Sequence, residues 1–206
     1  MSTSTTATTR YGMVPAPGGL VLVQDVVNTR AGGRPRQADL LDSGLEVAQQ
    51  WWDGVAEEWG RATGGSTVDL AVLTTSDLPR LRALRDDVAQ LLRREGFAGA
   101  LSDGATVEVA LNDDGQAHLS PRGGAVRWLA GAVMVEAFRA QTADTWRRLK
   151  VCRNHLCSGA FYDRSKNNSG VWHDVRTCGN VANLRASRAR RRVGSSSAAG
   201  TGRSSG

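Results

Sequence analysis

Apolar residues recur at helical intervals in three stretches of the chain. In "DSGLEVAQQWWDGVAEEW" Leu45, Ala48, Trp52, Val55 and Trp59 fall on one face, and Ser43 and Glu46 have the spacing of a capping box. This predicts a helix whose aromatic stripe packs into a core. "TTSDLPRLRALRDDVAQLLRREG" predicts a second helix, with Thr75 or Ser76 as cap, Pro79 in the first turn, Leu81, Leu84, Val88, Leu91 and Leu92 facing inward, and Gly96 as the stop. A third, from 125 to about 140, packs Val126, Leu129, Val133 and Ala137. Elsewhere the period changes. Val107, Val109 and Leu111 alternate with Thr106, Glu108 and Ala110 ahead of Asp114-Gly115, which predicts a hairpin. The β-branched run at 20–27 predicts a buried strand. Residues 1–18 have no periodicity and read as a disordered lead-in, and the Gly/Ser/Ala-rich 194–206 as a disordered tail.

Charge changes this picture at one end. Residues 1–149 carry 15 Arg against 18 Asp plus Glu, a net of −3, whereas residues 150–206 carry 11 Lys plus Arg against 2 acids, a net of +9. The basic character thus belongs to the last quarter and favours a polyanionic partner. No apolar run approaches the ~20 residues of a membrane span, and the N-terminus lacks a signal-peptide core, so a cytoplasmic protein is expected.

All three cysteines lie in this basic quarter, in "CRNHLCSGAFYDRSKNNSGVWHDVRTCGN". Cys152 and Cys157 are separated by four residues, His173 and Cys178 by four, and the two pairs by fifteen. Two short pairs with a hairpin-length spacer suit a tetrahedral structural zinc site, in which each pair forms a knuckle. A Cys3His set leaves no position open for water, so the expected role of a single Zn2+ is structural. His155 is an alternative fourth ligand, but it would crowd the first knuckle and leave Cys178 alone on the second. Unliganded thiols and a thiol nucleophile explain the paired spacing less well. His118, in the predicted hairpin, reads as a surface residue.

Beyond Cys178, "NVANLRASRARRR" predicts a helix with Arg185, Arg188 and Arg192 on one face, widened by Arg190 and Arg191, and with no acid. Such a helix suits contact with the phosphates of double-stranded DNA.

The pattern from Cys152 to Arg192, with Phe161, Asp163, Ser165, Trp172, Cys178, Gly179 and Asn180 in register, resembles the CGNR zinc finger. That module closes a bacterial family whose larger N-terminal domain is called ABATE and which is described as stress-induced transcription regulators. "LVQDVVNTR" resembles the opening of the ABATE domain, with Asp25, Asn28 and Thr29 in matching positions. Two positions depart from the pattern: His173 stands where the family usually has Cys, and Val181 where the motif has its Arg.

The expectation is therefore an α/β (α+β) N-terminal domain at 19–149, followed at 150–193 by a small zinc-bound finger of knuckle, hairpin and basic helix. The resemblance implies a DNA-binding regulator whose N-terminal domain senses a small-molecule effector or forms a homodimer. Asp25, Asn28 and Thr29, polar residues at the end of the predicted strand, are candidate ligand contacts, although such residues serve at least as often as turn and cap residues. A non-enzyme is expected, because the N-terminal domain offers no His or Cys beyond His118 as base or nucleophile. The rival reading is an enzyme, or an RNA- or protein-interaction module, with the finger only as a tether.

Overall fold

The structure, a computed structural model, describes residues 6–33, 35–64, 72–96, 99, 101, 104–111 and 113–181. The chain divides into a first compact unit, Met1–His173, and a second, Asp174–Gly206. In the first, a helical core is built from α1 (Ala7–Arg10), α2 (Leu20–Asn28), α3 (Leu45–Thr63), α4 (Asp77–Arg93) and α5 (Ala125–Thr142). Two antiparallel ribbons complete it: β1 (Thr106–Leu111) with β2 (Ala117–Arg122), and β3 (Leu149–Val151) with β4 (Ala160–Tyr162). The second unit contributes a π-helical turn, Val175–Gly179, in which the Asp174 carboxylate accepts from Thr177 N at 2.9 Å. The architecture is mixed helix and small sheet. No helix among the described residues is long and apolar enough to cross a membrane.

The predicted strand at 20–27 is a helix. Every residue of α2 is buried, and it touches α1, α3, α4, α5 and β4. A helix enclosed on all sides shows no polar face, so its β-branched run reads as a buried strand until tertiary contacts are known. Residues 6–18 are also structured. Tyr11, Met13 and Ala16 are buried, and Asp25 on α2 accepts from Ala7 N (3.1 Å) and Thr8 N (2.7 Å), capping α1 with a carboxylate where its free N–H groups need one.

The aromatic stripe of α3 is core, as expected. Trp128 on α5 meets Trp52 edge-on at 5.6 Å and Trp59 at 5.2 Å. The indole N–H of Trp59 donates to buried Glu136 at 3.0 Å, so the apolar stripe carries its own polar partner. The capping box is not formed. Gly44 takes the N-cap position with φ 107°, and the Ser43 hydroxyl donates to Asp39 O instead. Nor does Thr75 or Ser76 cap α4 with its side chain; Asp77 reaches back and accepts from Thr74 N at 2.9 Å.

The hairpin forms in the predicted place, yet Val109 and Leu111 are each 69% exposed. Its base packs on α5, where a Cβ at Gly131 would stand 3.0 Å from Thr106 O and 3.2 Å from Pro121 Cβ.

Candidate metal centre

The ribbon of β3 and β4 sets the first knuckle. Cys152 follows β3 directly, its N–H donating to Gly159 O at 2.9 Å, and the chain turns about buried Asn154. The carbonyl of Asn154 accepts from Cys157 N (2.8 Å) and Ser158 N (3.0 Å), and its side-chain oxygen from Leu156 N (3.2 Å). This tight turn points both sulfurs inward. The π-helical turn carries Cys178, whose N–H donates to Asp174 O at 3.0 Å.

Cys157 Sγ lies 3.3 Å from His173 Nδ1, and the ligand atoms of Cys152, Cys157, His173 and Cys178 all lie within 4.8 Å of one another. Tetrahedral zinc with bonds of about 2.0–2.3 Å requires its ligands to stand roughly 3.5–3.8 Å apart, so the set fits the ion with little movement. All three cysteines are buried and none forms a disulfide. The Cys152 thiol is held well below its ordinary pKa by its contact with Cys157, against burial and with help from His173, so the thiolate that a metal needs is favoured. These four residues can hold one zinc, and a closed donor set of this kind gives the metal a structural task. His155 is exposed and stands outside the cluster, which settles the alternative raised by the spacing.

The hairpin-length spacer is organised by a second polar centre. Lys150 Nζ donates to Asp163 Oδ2 (2.7 Å), Asn168 O (2.7 Å) and Gly170 O (3.0 Å), while Asp163 also accepts from Ser165 N (2.9 Å) and Gly170 N (2.7 Å). Burial opposes the Asp163 charge, but Lys150, Ser165 and Gly170 outweigh it and hold the carboxyl below the usual range. A carboxyl with a depressed folded pKa stabilises the fold above its unfolded value, about 3.9, and that contribution is lost as pH falls toward the folded value. Asp163→Asn is therefore expected to lower stability at pH 7 by about 3 kcal/mol, leaving Lys150 uncompensated, and to flatten the acid limb below pH ~4. Urea titrations of both proteins across that pH range check this.

The knuckle is built into the helical core. Asn28 accepts from Ala160 N at 2.7 Å and donates to Ala160 O at 3.0 Å, a two-point pairing with β4, and donates to Thr8 Oγ1 at 3.1 Å. Gln24, not singled out by the sequence reading, donates to Ala160 O (3.2 Å) and accepts from Ala16 N (2.6 Å). Its spacing from Asn28, one helical turn, was the available signal. A Cβ at Gly32 would stand 2.3 Å from Cys157 O, and one at Gly159 would stand 2.5 Å from Met13 Cε, so both glycines permit close approach. Beside them Tyr11 donates to Arg30 O at 2.6 Å, and burial, aided by the nearby Cys157, raises its pKa to about 12.

The candidate ligand contacts are thus fully buried and occupied by the protein's own groups. Asp25 accepts from Ala7 N, Thr8 N and the Trp51 indole (2.9 Å), with burial raising its pKa against those donors. Thr29 donates to Val26 O at 2.8 Å. His118 is exposed. Arg185, Arg188, Arg190, Arg191 and Arg192, together with the tail at 194–206, lie outside the described residues; Asn180 and Val181 have helical backbone.

No curated protein gives a significant match to the chain. Residues 148–191, which contain the whole Cys3His cluster, match the CGNR zinc finger family.

Proposed function

We propose that the protein is a DNA-binding transcription regulator, in which a structural zinc anchors an arginine-rich segment and the helical core senses an effector or mediates dimerisation. The observation that carries this reading is the adjacency of the Cys3His cluster to "NLRASRARRR", five arginines and no acid, within the stretch that matches the finger family. A soluble surface helix normally mixes both signs of charge, whereas a one-sign segment fixed at its start by a metal suits a polyanion. The resemblance of "LVQDVVNTR" to the ABATE opening supports the same assignment, with no enzymatic step. Val181 stands where the motif has its Arg, so the chain carries one cation fewer at that position.

A second reading has one specific observation in its favour. The first knuckle packs into the helical core through Gly32, Gly159 and Asn28, as a brace or protein-interaction module would. Duplex binding separates the two. With three to five phosphate contacts, log affinity falls against log salt with a slope of roughly −3 to −5, and each phosphate-contacting arginine replaced by alanine reduces that slope by about one. Fluorescence anisotropy on random-sequence and genomic duplexes measures it. Zinc-loaded protein with no salt-dependent binding to any duplex would leave the brace as the function of the finger.

A further inference from the structure

A cavity of about 870 Å³ opens beside the first knuckle, between the C-terminal end of α4 and β3. Its size is that of a small-molecule site. Leu92 and Leu149 are buried at its base, and half-buried Trp146 lies along it. Its charge is one-sided. Arg93 at the end of α4, Arg94 just beyond it and Arg153 in the knuckle line it, with Glu95 as the one carboxylate among the described residues of the lining. Among the described residues, none of these three guanidiniums has a hydrogen-bond or carboxylate partner, whereas Arg147 is held by Asp144 and Lys150 by Asp163. The negative end of α4 accounts for cations in and just after its own last turn but not for Arg153, which comes from the knuckle.

The backbone adds a second, independent observation. Arg94 (φ 62°), Ser158 (φ 51°) and Asn168 (φ 50°) line the cavity, and they are three of the four non-glycine residues with positive φ among those described. Arg94 ends α4 in the left-handed position that glycine takes without strain, so a lining arginine stands there at a conformational cost. Such concentration of strain is a mark of sites shaped for something other than stability.

We infer that this cavity is a binding site for a small phosphate-bearing ligand, held by Arg93, Arg94 and Arg153. Three guanidiniums lining one cavity of small-molecule size suit the oxygens of a phosphate group, which planar N–H forks bind well. Because Arg153 directly follows Cys152, occupation of the cavity bears on the metal knuckle itself. The inference deepens the sensing role proposed above and rests on that reading for its regulatory meaning, while the binding stands alone.

The test uses full-length zinc-loaded protein titrated with inorganic phosphate at constant ionic strength set by chloride, following arginine Nε–Hε resonances by NMR. Saturable shifts are expected at Arg93, Arg94 and Arg153. Arg93→Ala and Arg153→Ala should each weaken phosphate at least tenfold with zinc content and melting temperature unchanged. Saturable shifts confined to the arginines after residue 181, or none at all, would overturn the proposal. So would a short duplex that displaces phosphate from Arg93 and Arg153, because the cavity would then belong to a nucleic-acid surface. A duplex that binds without disturbing those resonances supports the small-ligand site. Loss of duplex binding with phosphate binding intact would refute the DNA reading alone.

Discussion

Cys157→Ser is expected to lose stoichiometric zinc and to destabilise the helical core along with the finger. Cys157 is the hub of the first knuckle: its N–H closes the turn on Asn154, its sulfur meets His173 Nδ1, and its carbonyl lies where Gly32 leaves room for it. With serine, three ligands remain and the hydroxyl is a poor substitute for a thiolate. Apparent zinc-binding energies in finger peptides are ~10–16 kcal/mol, and in small metal domains this is folding energy. Losing about 4 kcal/mol of it would lower Tm by roughly 8–16 °C in a chain of this size. Differential scanning calorimetry with metal analysis on the same samples measures both quantities. Loss of zinc with an unchanged Tm would mean that the finger is energetically separate from α2.

Asn28→Ala is expected to cost about 3–4 kcal/mol without removing a zinc ligand. The variant leaves Ala160 N–H buried with no acceptor, while Ala160 O keeps Gln24 Nε2. An unsatisfied buried donor costs about 1–3 kcal/mol, and the lost bond to Thr8 Oγ1 and the small void add to it. Because β4 carries the chain away from the knuckle, zinc should also be released to a chelator faster than from the wild type. Urea unfolding gives the first quantity and chelator competition the second. Stability within 1 kcal/mol of wild type would show that the Asn28 pairing is incidental.

The parts of the molecule that sequence could reveal were those in which one residue face repeats over many turns, or in which rare residue types gather. The stripes of α3, α4 and α5 persist for long enough to show a period, and the three cysteines stand so close that their pairing was legible before the fold was known. Helix α2 was not, because burial on every side removes the polar face that marks a helix. Its polar Gln24, Asp25 and Asn28, spaced at i, i+1 and i+4, turn toward backbone groups of α1, residue 16 and β4 rather than toward solvent. The structure of residues 6–18 was hidden for a related reason: what orders it is the side chains of Asp25 and Gln24 on α2, whose helix was itself not legible. The capping box failed because Gly44 with φ 107° supplies the N-cap through its backbone. The cavity beside the knuckle joins α4 to β3, two elements more than fifty residues apart, which no local pattern announces.

Cys152, Cys157, His173 and Cys178 together can hold a single zinc. Metal analysis of protein purified without added zinc, paired with thiol titration before and after chelation, tests it most directly. One zinc per chain is expected, with three thiols protected in the native protein and all three released together with the metal. A zinc content near zero with all three thiols freely titratable would contradict it.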